Sequence, residues 1–278
     1  MPALRYRLLA LDVDGTLLDP EGKVRPRVAR AIRAARVAGC GVVLATGRRL
    51  PSVTKVAEPL EISTVILTDG TVVYDLAERR VLFERALEPP LVRQAIDLLV
   101  ESGLPPILFE SPAAASRIFL GPVSLDNAEI HTFLNRPIEL VRLPLAELAN
   151  AERVVGIIGL GPADQVARAA EQARVAGGFA LVVWNPSFNG YQRPTLSLAP
   201  EGTSKGHALL WLAAQLGIPP EEVMAVGDYA NDLSLIEAAG WGVAMGNATP
   251  EVKAAARAIV ADNANDGVAE AIERWILG

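Results

Sequence analysis

Three short apolar runs limit what this chain can fold into more than any other feature: Leu8-Leu9-Ala10-Leu11, Gly41-Val42-Val43-Leu44-Ala45 and Val223-Met224-Ala225-Val226-Gly227. Each is free of polar side chains and each stops on oxygen, at Asp12 and Asp14, at Thr46, and at Asp228 with Asn231 and Asp232. An unbroken run of this length is the mark of a strand buried on both faces, as in a parallel sheet. Ligands of open parallel α/β sheets bind beyond the carboxyl ends of the strands. If the three runs share one sheet, polar groups from distant parts of the sequence meet at one edge. On an extended backbone Asp12 and Asp14 point to the same side, and two carboxylates in one small volume call for a cation or a shared proton. Taken alone, Asp14-Gly15 reads equally as a turn closing a hairpin, with both aspartates bonded to local amides.

The segments between these runs have the rhythm of strand–helix–strand crossovers. From Arg27 to Ala38 the residues Val28, Ala31, Ile32 and Ala35 recur at helical spacing, and Pro51-Ser52 opens a second helix. A third strand is predicted over Ile62–Leu67, with Asp69-Gly70 turning the chain into Val72–Asp75. From about residue 81 the texture changes. Proline pairs and short strands (81–84, 107–109, 117–120, 152–160, 179–184, 195–198) alternate with helical stretches (91–100, 125–134, 164–176), which signals a separate α+β domain. The βα rhythm resumes at Gly202-Thr203-Ser204-Lys205-Gly206, where Thr203 or Ser204 caps a helix over 207–216, and it continues to a helix over 267–275. The expected division is therefore a core made of 1–80 and 200–278, with 81–199 inserted into it.

With 278 residues, 51% of them hydrophobic, both parts have enough apolar surface for a core. A net charge of −6 and the lack of any lysine or arginine cluster argue against nucleic acid as a partner. The apolar stretch ending at Asp12 is too short for a signal peptide, and nothing approaches the ~18 apolar residues of a membrane span, so a cytoplasmic protein is the expectation. Cys40, the sole cysteine, has no partner for an intramolecular disulfide and reads as a small buried hydrophobe.

Gathered at one sheet edge, the strand-end groups supply carboxylates, a hydroxyl, an amide and, from Lys205, an ammonium. Donors that are all oxygen, without histidine or cysteine, suit Mg²⁺. A lysine and a hydroxyl suit phosphoryl oxygens, and aspartate is a known phosphoryl acceptor once cations offset anion repulsion. A lysine at a helix start, where acids are favoured, also points to a ligand.

Asp12-Val13-Asp14-Gly15-Thr16-Leu17-Leu18, Ala45-Thr46-Gly47-Arg48, Ser204-Lys205-Gly206 and Gly227-Asp228-Tyr229-Ala230-Asn231-Asp232 resemble, in order, the four motifs of the haloacid dehalogenase superfamily. Within it the chain is similar to the Cof-like phosphatases, and Gly242–Ala248 and Asn265–Ala269 resemble that subfamily's C-terminal stretches. The resemblance covers the core alone. It implies an α/β fold, a Rossmann-like doubly wound parallel sheet with an inserted α+β cap, and a Mg²⁺-dependent phosphatase acting on a small phosphorylated metabolite such as a sugar phosphate or a phosphorylated cofactor. Asp12 would be the nucleophile and Asp14 the general acid and base. Mg²⁺ would be held by Asp12, by the Asp14 backbone carbonyl, by Asp228 and, directly or at one remove, by Asp232. Thr46, Gly47, Lys205 and Asn231 would hold the phosphoryl oxygens.

Two departures from the family's pattern are Asp69-Gly70, where relatives often have Asn-Gly, and the bulk of Trp241. A phosphomutase of the same superfamily, and a phospho-accepting signalling module, are the alternative functions. Asp228 and Asp232 have local structural roles open to them as well, in an Asx turn and at a helix dipole. Arg48 and Arg49 read as solvated, His131 and His207 as ordinary. Trp184, Asn185, Asn189, Tyr191 and Arg193 form a loose cluster near the insertion's return to the core, with packing for Trp184 and a surface position for the rest as the expectation.

Overall fold

A computed structural model describes residues 4–122, 140–184 and 194–278. The chain divides into two compact units, residues 1–83 with 204–278, and residues 84–203.

In the first unit the three apolar runs lie side by side. β1 (Leu8–Leu11) pairs in parallel with β2 (Gly41–Ala45) on one side and with β12 (Val223–Gly227) on the other. All four residues of β1 are buried, as an apolar run without alternation requires of a strand covered on both faces. The sheet extends through β3 (Thr64–Leu67), β4 (Val72–Asp75) and β5 (Arg80–Glu84) on the β2 side, and through β13 (Trp241–Ala244) and β14 (Ala258–Ile259) on the β12 side. Its order is β14-β13-β12-β1-β2-β3-β4-β5, parallel from β14 to β3. β4 returns antiparallel to β3, with Leu67 opposite Val72, so the Asp69-Gly70 turn closes a hairpin as expected.

Helices cover both faces. α1 (Pro26–Val37) starts on a proline, which is preorganised for a first helical turn, and buries Val28, Ala31, Ile32 and Ala35. On the opposite face α6 (Lys205–Gln215) and α7 (Leu233–Ala238) pack Ala208, Leu209, Leu212 and Leu235 against Leu8, Ala10, Val43, Ala45 and Ala225. The remaining helices of this unit are α2 (Leu50–Ala57), α8 (Pro250–Ala255) and α9 (Gly267–Ile272). Cys40 is buried beside β2, and burial pushes its thiol up to about 12, so it behaves as a hydrophobe.

The chain runs from β1 outward in one direction, to β2 and β3, and later from β12 outward in the other. The order therefore reverses between β1 and β12, and the crevice beyond the carboxyl ends of these two strands is the ligand position that such a sheet favours. Asp12 and Asp228 stand at its two lips.

The second unit is an α+β layer of its own. α3 (Pro89–Glu101) and α5 (Ala163–Ala176) press Val92, Ile96, Leu99, Val166, Ala170 and Ala173 onto a sheet through Leu108, Phe119, Ile157, Leu196 and Leu198. The sheet runs β10 (Phe179–Trp184), β11 (Thr195–Pro200), β9 (Val154–Leu160), β6 (Ile107–Glu110), β7 (Ile118–Leu120), β8 (Leu140–Arg142). Its neighbours are antiparallel except β7 and β8. β8 and a one-turn helix α4 (Leu145–Leu148) are not anticipated from the sequence, because segments of three and four residues carry too few periods to read. The helix expected over 125–134 lies outside the described residues, as do His131, Asn185, Asn189, Tyr191 and Arg193.

Candidate active site

The period-two reading of Asp12 and Asp14 holds only as far as Asp12. From Val13 to Leu17 the chain winds into a wide turn, closed by the Leu18 N–H donating to the Val13 carbonyl at 3.0 Å. Gly15 sits in this turn at φ +82°, and a Cβ there would overlap the Asp228 carboxylate, so the loop leaving β1 presses directly on the acid leaving β12. The turn sends the two carboxylates to different partners. Asp12 is buried, and its Oδ1 accepts from Lys205 Nζ at 2.6 Å. The Asp14 side chain is 44% exposed and is gripped by Arg48, Nε to Oδ2 at 2.8 Å and Nη2 to Oδ1 at 2.6 Å. The expectation that Arg48 is solvated is thus wrong: a guanidinium fork matches a carboxylate edge, and the turn after β2 aims it there.

Lys205 starts α6 with its ammonium fully buried, where Ser204 is the N-cap and accepts from the His207 N–H at 3.1 Å. Burial alone would push the ammonium toward neutrality, but Asp12, Asp232 and Asp69 outweigh it and hold Lys205 charged. Its second partner is Asp232 Oδ1, at 2.7 Å. The other oxygen of Asp232 accepts from two backbone N–H groups, Asp228 at 3.0 Å and Tyr229 at 3.1 Å. Asp232 therefore fixes both the ammonium and the loop that carries Asp228.

Asp12, Asp228 and Asp232 each offer an oxygen within 4.8 Å of the others. Thr16 donates to Asp228 Oδ1 at 2.6 Å, and Asn247 reaches Asp228 Oδ2 at 3.4 Å and the Gly15 carbonyl at 2.8 Å. Burial, reinforced by the charge of Asp232, raises Asp228 to about 7 against the pull of the Thr16 bond. Burial and then Asp232 raise Asp12 as well, with Lys205 pulling the other way. Three buried carboxylates around one ammonium leave negative charge uncompensated, and a small hard cation with oxygen ligands answers that deficit. The donor set fits Mg²⁺: all oxygen, converging from two strand ends, with two of the acids braced by neighbouring side chains and amides.

Thr46 is buried at the end of β2, and its Oγ1 accepts from the Arg48 N–H at 3.1 Å. That leaves the hydroxyl proton for an acceptor in the crevice. Gly47 lies between them, partly exposed. Asn231 donates to Asp69 Oδ1 at 2.8 Å, and burial raises the Asp69 carboxyl above its usual range despite Lys205 and this bond. Asp69 thus holds the amide that sequence reasoning places on a phosphoryl group.

The structure brings Asp12, Asp228, Asp232 and Lys205 into one cluster, with Asp14 and Thr46 tied together through Arg48 and Asn231 held at Asp69. Arg48, Thr16, Asp69 and Asn247 are the contributors that sequence reasoning did not assign. Arg48 stands in the Ala45-Thr46-Gly47-Arg48 motif, Thr16 in the Asp12–Leu18 motif and Asn247 in the Gly242–Ala248 stretch, so these three had a signal in the resemblance. His207 takes no part: it is exposed, its ring 6.0 Å from that of Phe83. Trp184 is partly buried at the end of β10. Trp241 is accommodated against Tyr6 and Trp275, in tilted ring contacts with centroids 6.3 and 5.7 Å apart.

The haloacid dehalogenase-like hydrolase profile matches residues 9–272. The pyridoxal phosphate phosphatase YbhA of Escherichia coli is 32% identical over 277 residues, covering 98% of this chain and 99% of that protein. The chloroplastic endoribonuclease YBEY of Arabidopsis thaliana is 27% identical, and this chain spans only 47% of its length. A solved haloacid dehalogenase-like hydrolase from Bacillus subtilis superposes with a TM-score of 0.81 at 28% identity, covering 97% of this chain and 100% of that one. Further relatives include phosphatases of Bacillus subtilis. With the profile spanning both strand-end clusters and the insertion between them, the chain belongs to the haloacid dehalogenase-like hydrolases and is a phosphatase of that family.

Proposed function

We propose that the protein is a Mg²⁺-dependent phosphatase of small phosphate monoesters, working through a phosphorylated Asp12. The observation that carries this reading is the buried Asp12–Lys205–Asp232 chain beside Asp228. A carboxylate approaches a phosphate dianion only where cations offset the repulsion, and this crevice holds one ammonium and a ligand set for a dication.

Asp12 Oδ1 is taken by Lys205, which leaves Oδ2 to attack phosphorus. As that bond forms, the ester P–O bond breaks and the departing alkoxide takes a proton from Asp14, which then removes a proton from water as the water oxygen attacks phosphorus and frees Asp12. Lys205, the Thr46 hydroxyl, the Gly47 backbone and Asn231 hold the non-reacting phosphoryl oxygens. Asp12, the Asp14 backbone carbonyl and Asp228 would hold Mg²⁺, which would supply charge neutralisation at the phosphoryl oxygens. Asp232 orients Lys205 with one oxygen and the Asp228 loop with the other, and would meet the ion directly or at one remove.

This substrate class is supported by the crevice, whose groups suit a monoester dianion, and by the likeness to YbhA, whose named substrate is a phosphorylated cofactor. Asp12→Asn keeps the shape of the side chain but not its nucleophilicity. With p-nitrophenyl phosphate and a panel of sugar and cofactor phosphates, this variant should release no inorganic phosphate above background. Turnover by a correctly folded Asp12→Asn protein would sink the mechanism, and full activity in excess chelator would remove the metal.

A further inference from the structure

Arg48 has a geometry that the scheme above leaves without a purpose. Its guanidinium lies along the edge of Asp14 through two parallel bonds of 2.6 and 2.8 Å, and both side chains are only partly exposed. The Arg48 backbone is itself fixed on both sides. Its N–H donates to Thr46 Oγ1 at 3.1 Å, and its carbonyl accepts from the Thr68 N–H at 3.1 Å. A two-pronged pair sets the plane of a carboxylate as well as its distance, which a lysine's point charge does not.

Asp14 needs that help. It leaves the strand in a turn, at φ −84° and ψ 120°, with 44% of its side chain exposed, whereas Asp12 is locked by burial. A half-exposed carboxyl on a turn samples several rotamers, and proton transfer requires one of them.

We propose that Arg48 is a positioning residue for proton transfer, holding the Asp14 carboxyl in the orientation from which its proton reaches the departing oxygen. The inference rests on Asp14 being the acid and base of the reaction. Arg48 exchanges no proton: once Asp14 is protonated one oxygen stays on the guanidinium, and the other presents its hydrogen to the ester oxygen as the P–O bond breaks. Because Arg48 and Thr46 share one turn, the grip on the proton carrier and the grip on the phosphoryl group are built from the same three residues.

The leaving group provides the test. An alkoxide needs a proton to depart, whereas p-nitrophenolate does not, and kcat/KM reports the step in which it leaves. Arg48→Met, Arg48→Lys and Asp14→Asn would be assayed with Mg²⁺ on p-nitrophenyl phosphate and on whichever alkyl phosphate the unmodified enzyme hydrolyses fastest. Arg48→Met should lower kcat/KM for the alkyl ester by about 10- to 100-fold and for p-nitrophenyl phosphate by less than about threefold. Arg48→Lys should show the same selectivity in smaller measure, and it serves alone if the methionine variant does not fold. Equal losses on both esters, with Asp14→Asn still selective, would overturn the role of Arg48 and leave the proton-transfer reading standing. An Asp14→Asn variant that loses both activities equally would overturn that reading itself.

Discussion

The turn from Thr68 to Gly70 has positive φ at three successive residues, +48°, +54° and +102°. For Thr68 and Asp69 this is a strained conformation, of a kind that costs about 1–3 kcal/mol per residue and persists where the surroundings impose it. Here the surroundings are the site. The Asp69 N–H donates to the Thr46 carbonyl at 3.2 Å, its carboxylate takes Asn231, and Gly70 lies so close to Ser204 that a Cβ would overlap the serine carbonyl. Ser204 caps the helix that begins with Lys205, so Gly70→Ala has two effects. It should destabilise the protein by at least ~1 kcal/mol in urea titration, since neither the φ nor the space suits alanine. It should also raise KM for p-nitrophenyl phosphate, because the helix start that carries Lys205 has to move. A variant of unchanged stability and KM would show that the turn yields freely. At this scale the sequence made Asp12, Asp14, Thr46 and Asp228 readable, since each follows a run whose apolar character marks where the strand ends, and Lys205 readable as a cation at a helix start. It did not make Arg48 or Asp69 readable in their roles. Arginine after a Thr-Gly turn looks solvated until the carboxylate opposite is placed, and an Asp-Gly pair announces a turn but not the amide its side chain meets.

At the scale of elements, the core strands and helices were legible because both periods are strong there: unbroken apolar runs for the parallel strands, and Val28, Ala31, Ile32 and Ala35 for α1. The edges of the inserted unit were harder. β7 was legible as a strand over 117–120, but β8 is three residues long and its pairing with β7 sets Leu140 opposite Ile118, distant in sequence. One device that steadies this region is electrostatic. Glu110, at the end of β6, accepts from Arg117 Nη2 at 2.5 Å and Nε at 2.9 Å, and from the backbone N–H groups of Ala115 and Arg117. The Arg117 bonds hold the Glu110 carboxyl below its usual range, against the effect of burial. A depressed folded-state pKa contributes stability that is present above the ordinary value of about 4.3 and lost as pH falls through the folded value. Thermal melting of the parent and Glu110→Gln proteins should therefore differ most near neutral pH, with the parent more stable, and the two curves should converge in acid. A constant gap across pH would assign the effect to packing instead.

For the molecule as a whole, the acids at the β1–β12 switch point repel one another in the absence of a dication, so the site works against the fold until charge arrives. Mg²⁺ should raise the melting temperature, by an amount equivalent to ~2.7 kcal/mol at a hundredfold excess over Kd, and Asp228→Asn should lose most of that gain. A melting temperature indifferent to Mg²⁺ would mean that Lys205 alone balances the cluster.

The insertion also sets a schedule. Asp12 and Lys205 are 193 residues apart, and β1 finds its neighbour β12 only when Leu8 can meet Val223. At the ~5–20 residues per second of synthesis, tens of seconds separate the two halves of the crevice. During that interval β1 and β2 present an open parallel edge where β12 will dock, an edge that invites pairing with other chains. A growing polypeptide of this kind thus carries Asp12 long before it carries the Lys205 ammonium that balances it, and a product truncated before Asp232 holds only part of the crevice.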